Sequence, residues 1–426
     1  MDAVIGIFCQ WGVVTYQILP TALPVVIPAA VVVADDYRDA SDVAWATALE
    51  KVPALIAEHP NQFPLYTMQG KWVVQGESWT NWCEGFLGGQ LWMLANRTGR
   101  EDLRVAAERY SLLIEERQHD RSVHDLGFLF WSTWRRWFEE TGDASRDRVV
   151  VQAGTTMSLR FNEKGRYLRS FLAPDSLFID IMMNVGVVFH AAQRTGDARL
   201  ATIAAEHCLT TRRYLVRGDG SIAHEGIFDL ETGAFLRQST QQGFRADGSW
   251  ARGQAWALYG FGTAYRYTGD RRFLDTAQAC ADFYIDRTGA ALVPPNDWEE
   301  PAPRLPYESS AAAITAGGLW QLAGLVQDTA RAWRYADYSV AILKRLCLPD
   351  FLSVGEPTWE GLLKHGVYHG GKGLGVDESV MWGDYWFLDA LDAVDKHLVE
   401  RTSRSLSATP STEPDAAIAA RSNGTQ

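Results

Sequence analysis

Cysteine is scarce and scattered in this chain. Cys9, Cys83, Cys208, Cys280 and Cys347 are odd in number and follow neither a Cys-x-x-Cys nor a zinc-ligand spacing. They read as ordinary buried thiols. The nine histidines show no second cluster at ligand spacing, so no metal and no organic cofactor is expected. Positive charge is in deficit, 40 Lys and Arg against 52 Asp and Glu, for a net charge of −12. That argues against nucleic acid as the main partner, although an anionic ligand can still be held where Arg or Lys is concentrated locally. Strand-like stretches are few. The clearest, residues 221–236, surrounds a Glu-Thr-Gly turn and predicts a small hairpin between helices.

What is present is a large apolar inventory, 47% hydrophobic and 12% aromatic over 426 residues, which excludes disorder for most of the chain. Seventeen tryptophans are unusual. Trp is first a core residue, but its flat ring also stacks on sugar faces, which tilts the reading toward a carbohydrate site. Residues 3–34 are uncharged and apolar, broken by Pro20, Pro24 and Pro28, and without the basic start of a secretory signal. An atypical signal or anchor, a disordered leader and a misassigned start all fit. We expect residues 1–40 to have no structural role in the catalytic fold, and a cytoplasmic location unless 1–34 is a genuine signal or membrane anchor. Residues 401–426 are rich in Ser, Thr, Ala and Pro without periodicity and predict a disordered tail.

Between them, residues 41–400 read as one helical body. Residues 42–57 carry apolar side chains at helical intervals, and four later helices end in the same punctuation: Thr98-Gly99, Thr141-Gly142, Thr195-Gly196 and Thr268-Gly269, each followed by a charged residue and a new helix. The repeat is a helical hairpin. About six fit, and six hairpins close into an (α/α)6 barrel with minor β-hairpin insertions and a site at one end of its axis.

Four stretches carry candidate chemistry. Residues 174–192 open with Pro174, Asp175 and Ser176 and continue as an apolar run, predicting a buried helix whose one polar stripe is Ser176, Asp180 and Asn184. A carboxylate there must be paired, hydrogen-bonded or facing a cavity, so Asp180 is either a reactive acid or a bridge to a neighbouring helix. Asp125, in His124-Asp125-Leu126-Gly127-Phe128, is a second acid among apolar groups, and two such acids can have their pKa values pushed apart. Trp79, Trp82 and Glu84 lie in a Gly-rich segment suited to a sugar ring, with a helix-capping Glu84 as the alternative. Arg252 lies between Trp250 and Trp256; its planar fork beside a stacking wall suits an acidic sugar, unless it is tied to a structural acid.

Taken in order, HDLGF, SLFIDIMMN, WARGQAW, ESSAAAI and GVDESVMWGDYWFLDAL resemble the unsaturated glucuronyl hydrolases of glycoside hydrolase family 88 over roughly residues 42–398. The resemblance implies the (α/α)6 barrel and a substrate: an oligosaccharide ending in a 4,5-unsaturated uronic acid, as a polysaccharide lyase leaves it. It implies Asp180 as general acid and base, Asp125 as the second essential carboxylate, and His224, Gln242, Trp250, Arg252 and Trp82 around the sugar. The implied chemistry is hydration of a vinyl ether rather than ordinary glycoside cleavage. Three departures bear on the aglycone: Gln241 where relatives carry His, Phe171 where a Trp is common, and only Lys372 in a loop that in some relatives recognises sulfated sugars. Alternatives are the family 105 unsaturated rhamnogalacturonyl hydrolases and, more remotely, an epimerase or a carbohydrate-binding toroid. An epimerase would need a pair of exchanging histidines, and the sequence shows none near these motifs.

Overall fold

The computed structural model describes residues 9–10, 13–76, 78–303 and 306–407. Among these, the first long helix, α1 (Asp35–Glu58), lies outside the ring. It is followed by α2 (Glu84–Thr98) with α3 (Glu101–Leu113), then by α4 (Leu126–Phe130) and α5 (Trp134–Thr141) with α6 (Ala144–Ser158). Next come α7 (Ile181–Asn184) and α8 (Gly186–Thr195) with α9 (Ala198–Tyr214). The last pairs are α10 (Ala251–Thr268) with α11 (Arg271–Thr288) and α12 (Ser309–Ala323) with α13 (Thr329–Leu346), before α14 (Met381–Ser407). The inner ring runs α2, α4–α5, α7–α8, α10, α12 and α14, and closes where α14 packs on α2. The chain is an (α/α)6 toroid. Its sixth pair joins the first helix to the last: Ser41 Oγ and Trp45 Nε1 of α1 donate to Asp395 of α14 at 3.0 and 2.9 Å.

The recurring Thr-Gly punctuation has a common mechanism. Gly99, Gly142, Gly196 and Gly269 all sit in the left-handed region, with φ of 67, 67, 72 and 69°. At the first three an added Cβ would meet nothing within 4 Å, so glycine is needed for backbone conformation rather than for space. The preceding Thr donates to the carbonyl four residues back and accepts the N–H of the residue after the glycine. Where that residue is Asp143, Asp197 or Asp270, its carboxylate caps the next helix through Ser145, Arg199 or Arg272 N–H. One three-residue device, Thr-Gly-Asp, thus ends a helix and starts its partner.

Three expectations need correction. Residues 174–192 are not one helix. Ser176–Phe178 is a strand paired antiparallel with Glu225–Phe228, which in turn pairs with Phe235–Ser239 across the predicted Glu-Thr-Gly turn. Sheet pairing and the 2.6 Å bond from Ser176 Oγ to Glu225 override the helix-start signal of Pro174 to Ser176, and helix begins only after Asp180. Second, the apolar leader is bound to the toroid from residue 16 on. Tyr16 OH donates to Asp270 at 2.5 Å, and the N–H groups of Leu19, Leu23 and Val26 donate to Tyr267, Arg266 and Gly324 carbonyls. Ile18, Leu23 and Ile27 pack on the core. An uncharged, proline-broken stretch suits an extended strap that gains stability by burying apolar side chains. Residues 1–8 and 11–12 of the leader lie outside the described residues. Third, α14 continues to Ser407, so helix covers the start of the expected tail; 408–426 lie outside the described residues. Among the described residues no helix is long and apolar enough to cross a membrane.

Candidate active site

The N-terminal ends of the inner helices converge on one end of the ring. Asp125 immediately precedes α4, Asp180 precedes α7, Arg252 lies in the first turn of α10, and Glu308 caps α12. The first three line a cavity of about 170 Å³ whose wall also includes Trp82, His124, Phe171, Gln241, Gln242 and Lys372. A larger cavity of about 570 Å³ opens at the C-terminal ends of α10 and α14, but Arg136 there is already tied to Asp389. None of the acids singled out from sequence reaches it.

Asp125 and Asp180 therefore face the same cavity. Burial raises both carboxyl groups: Asp180 to about 6, despite the opposing charge of Arg252, and Asp125 to about 8, where the negative charge of Asp180 adds to burial. The two acids titrate as a pair that retains a proton at neutral pH. The sequence reading assigned that proton to Asp180; in the free protein Asp125 is the stronger proton holder. Backbone packing holds the acids in register. Asn184 accepts Phe128 N–H at 2.8 Å and donates to the Asp180 carbonyl at 3.1 Å. A Cβ on Gly127 would lie 2.5 Å from Asn184 Cα, so only glycine permits this approach of α4 to α7.

His224 stands beside Asp180, with Nε2 3.6 Å from Oδ2, and both of those atoms are buried without a hydrogen-bond partner within the protein. Its Nδ1 accepts the backbone N–H groups of Gln241 and Gln242 at 3.0 and 3.3 Å. A backbone N–H can only donate, so the neutral ring carries its proton on Nε2, toward Asp180. Burial and the nearby Arg252 push His224 down to about 3, so the ring stays neutral.

The other expected residues divide. Trp82 lines the cavity and donates from Nε1 to Tyr368 OH at 3.0 Å. Gln242 lines it too, and its Oε1 accepts from Arg252 Nη2 at 2.6 Å. Arg252 is not an open fork. Its two Nη atoms donate to Gln242, Glu308 and the carbonyls of Val367 and Tyr368, and the guanidinium lies over Trp250 and Trp382 at 4.5 and 5.0 Å. The acid tied to it is Glu308, fully buried, which the sequence reading passed over; a glutamate ahead of a run of small helical residues was the available signal. Three expected sugar contacts lie elsewhere. Glu84 opens α2 and pairs with Arg117 at 2.5 Å, outside the cavity wall. Trp250 is buried against His224, with ring centroids 4.6 Å apart. Trp256 is core, packed between Phe128 and Trp386. The Trp79 side chain lies outside the described residues. Two cavity residues were underweighted: Gln241, whose Nε2 donates to buried Glu225 at 2.9 Å, and Phe171, stacked on His124.

A helical toroid with two buried acids facing one cavity defines the class of an α/α-barrel glycoside hydrolase. The Glycosyl Hydrolase Family 88 model matches residues 57–286. An unsaturated glucuronyl hydrolase of Bacillus sp. (strain GL1) is 32% identical over 324 residues, 73% of this chain and 85% of that protein. The crystal structure of the Bacillus sp. GL1 unsaturated glucuronyl hydrolase superposes with a TM-score of 0.79 at 29% identity, covering 84% of this chain and 97% of that one. A variant unsaturated glucuronyl hydrolase of Streptococcus agalactiae, complexed with dGlcA-GalNAc6S, gives 0.72 at 25% identity, covering 89% and 98%. The chain belongs to glycoside hydrolase family 88.

Proposed function

We propose that this chain removes a 4,5-unsaturated uronic acid from the non-reducing end of lyase-generated oligosaccharides by hydrating the sugar's vinyl ether double bond. The observation that carries the reading is the pair of buried, proton-retaining carboxyl groups on one cavity. Asp180 gives its proton to C4, the positive charge developing at C5 is met by water, and the resulting carboxylate takes the water's proton. The hemiketal opens and rearranges, releasing the aglycone. Arrival of the uronate, an anion, raises the proton affinity of both acids, so Asp180 holds its proton with sugar bound although Asp125 holds it more firmly in the free protein. Asp125, which keeps its proton in the free protein, holds sugar hydroxyls. His224 offers its Nε2–H to the ring or to Asp180, and Arg252 supports the site through its charge and by fixing Gln242 and the Val367–Tyr368 backbone.

The same geometry disfavours the epimerase reading. The fold does bring three histidines, His124, His224 and His369, to this site, which the sequence did not disclose. Burial holds His124 and His224, the two histidines beside the acids, below their ordinary pKa, His224 at about 3, so neither of these accepts a proton near neutral pH.

The test is loss of the ultraviolet absorbance of the conjugated uronate, followed with chondroitin, hyaluronan, heparin and rhamnogalacturonan lyase products in parallel. Decay with wild type, and a rate lower by about 10²–10⁴-fold in Asp180→Asn, is the expected result. Absence of decay with every substrate overturns the proposal.

A further inference from the structure

The second acid has a histidine of its own, arranged as the first one is. His124 is buried, lines the cavity, and places Nε2 3.3 Å from Asp125 Oδ1. Its Nδ1 accepts the backbone N–H of Phe171 at 3.0 Å. Because that N–H can only donate, the neutral ring must carry its proton on Nε2, facing Asp125. The ring cannot readily turn. Phe171 stacks on it at 5.5 Å with planes 23° apart, and Phe178 meets its edge at 5.7 Å and 80°. The segment carrying Phe171 is itself anchored, since Arg160 donates to the carbonyls of Arg169 and Ser170.

We infer that His124 is a positioning residue for the reaction: its Nε2–H, locked by the Phe171 backbone, orients the Asp125 carboxyl group toward the sugar. The inference rests on the role proposed above for Asp125. Each acid then faces one neutral imidazole N–H whose tautomer a backbone amide dictates, His124 Nε2 at 3.3 Å from Asp125 and His224 Nε2 at 3.6 Å from Asp180. A neutral donor suits the site better than a cation. It orients a carboxyl oxygen in either protonation state without placing a fixed positive charge where an oxocarbenium-like charge must develop. The charged groups that act on Asp125 are Asp180, Arg117, Arg160 and Asp120, and those on His124 include Arg160, so the histidine adds direction to a field already set by others.

Two variants divide the functions of the ring. His124→Asn retains an acceptor for Phe171 N–H but removes the donor to Asp125. His124→Gln reaches Asp125 with its amide N–H but gives up the Phe171 contact. The expected result is a kcat lower by about 10- to 100-fold in H124N with KM changed by less than about threefold, substantial rescue in H124Q, and a shifted alkaline limb of the pH profile in H124N. Wild-type kcat and pH profile in H124N, or an equal loss in both variants, overturns the inference. Wild-type activity in Asp125→Asn overturns the Asp125 role and this inference with it, whereas an inactive D125N beside a fully active H124N removes only the histidine. Nitrogen-15 spectra of histidine-labelled wild type give a readout independent of variant folding. The His124 signals, assigned by their loss in H124Q, should show a neutral Nε2–H ring at pH 6; an Nδ1–H or doubly protonated ring overturns the inference.

Discussion

Replacing Asp125 by asparagine should stabilise the protein, and by an amount that grows with pH. Asp125 is 5% exposed and its carboxyl is raised to about 8, chiefly by burial and then by the charge of Asp180. In the unfolded chain the same group titrates near 3.9. Between these values the folded protein binds one more proton than the unfolded one, so raising the pH favours unfolding, by about 1.4 kcal/mol per pH unit. From pH 5 to pH 7 wild type should lose about 3 kcal/mol through this group alone, a loss absent once a neutral amide replaces it. At about 2 cal/mol/K of unfolding entropy per residue, that is a shift of about 4 °C for a toroid of this size. The assay is thermal and urea unfolding of wild type and Asp125→Asn at pH 5, 6 and 7. The two proteins should differ least at pH 5 and diverge steadily above it. A stability difference that does not change with pH would refute the assignment of a proton to Asp125 in the folded state.

Other perturbations probe other links. Glu308→Gln leaves the buried guanidinium of Arg252 without its counter-charge and should cost about 3–5 kcal/mol of stability, read from the urea midpoint; a cost below about 1 kcal/mol would mean that Gln242 and the two carbonyls suffice. Gly196→Ala should cost about 1–2 kcal/mol, because φ of 72° is unfavourable for alanine while the space for its Cβ is open, and Gly142→Ala should cost the same; unequal values would implicate packing instead. Tyr16→Phe removes the 2.5 Å bond that ties the strap to Asp270 and should lower stability by about 1–2 kcal/mol in denaturant melts. No change would show that the Tyr16 hydroxyl contributes nothing to holding the strap.

The residues that sequence reading placed correctly are those whose role depends on a near neighbour or on burial alone. The Thr-Gly turns are legible because a left-handed glycine, a back-bonding threonine and a capping aspartate all act within four residues of one another. Asp125 and Asp180 stood out because a carboxylate set among apolar side chains is costly wherever the fold puts it. The errors share the opposite property. Ser176–Phe178 became strand because its pairing partner lies about fifty residues away, and no local pattern reports that partner. Glu84 and Trp256 were assigned to the sugar because their composition suits it, but the helix orientation that turns one toward Arg117 and the other toward Phe128 is set by ring closure. Arg252 was given a fork for the substrate because a planar guanidinium beside tryptophan suits an acidic sugar; Glu308 and the Val367–Tyr368 backbone, which take up its donors, arrive only when the toroid closes. By itself, then, the sequence determined the helical hairpin, its count and the two acids, since periodicity, turn chemistry and desolvation are local. Only the tertiary structure decided which polar groups remain available to a sugar, because hydrogen-bond saturation depends on partners brought together from distant parts of the chain.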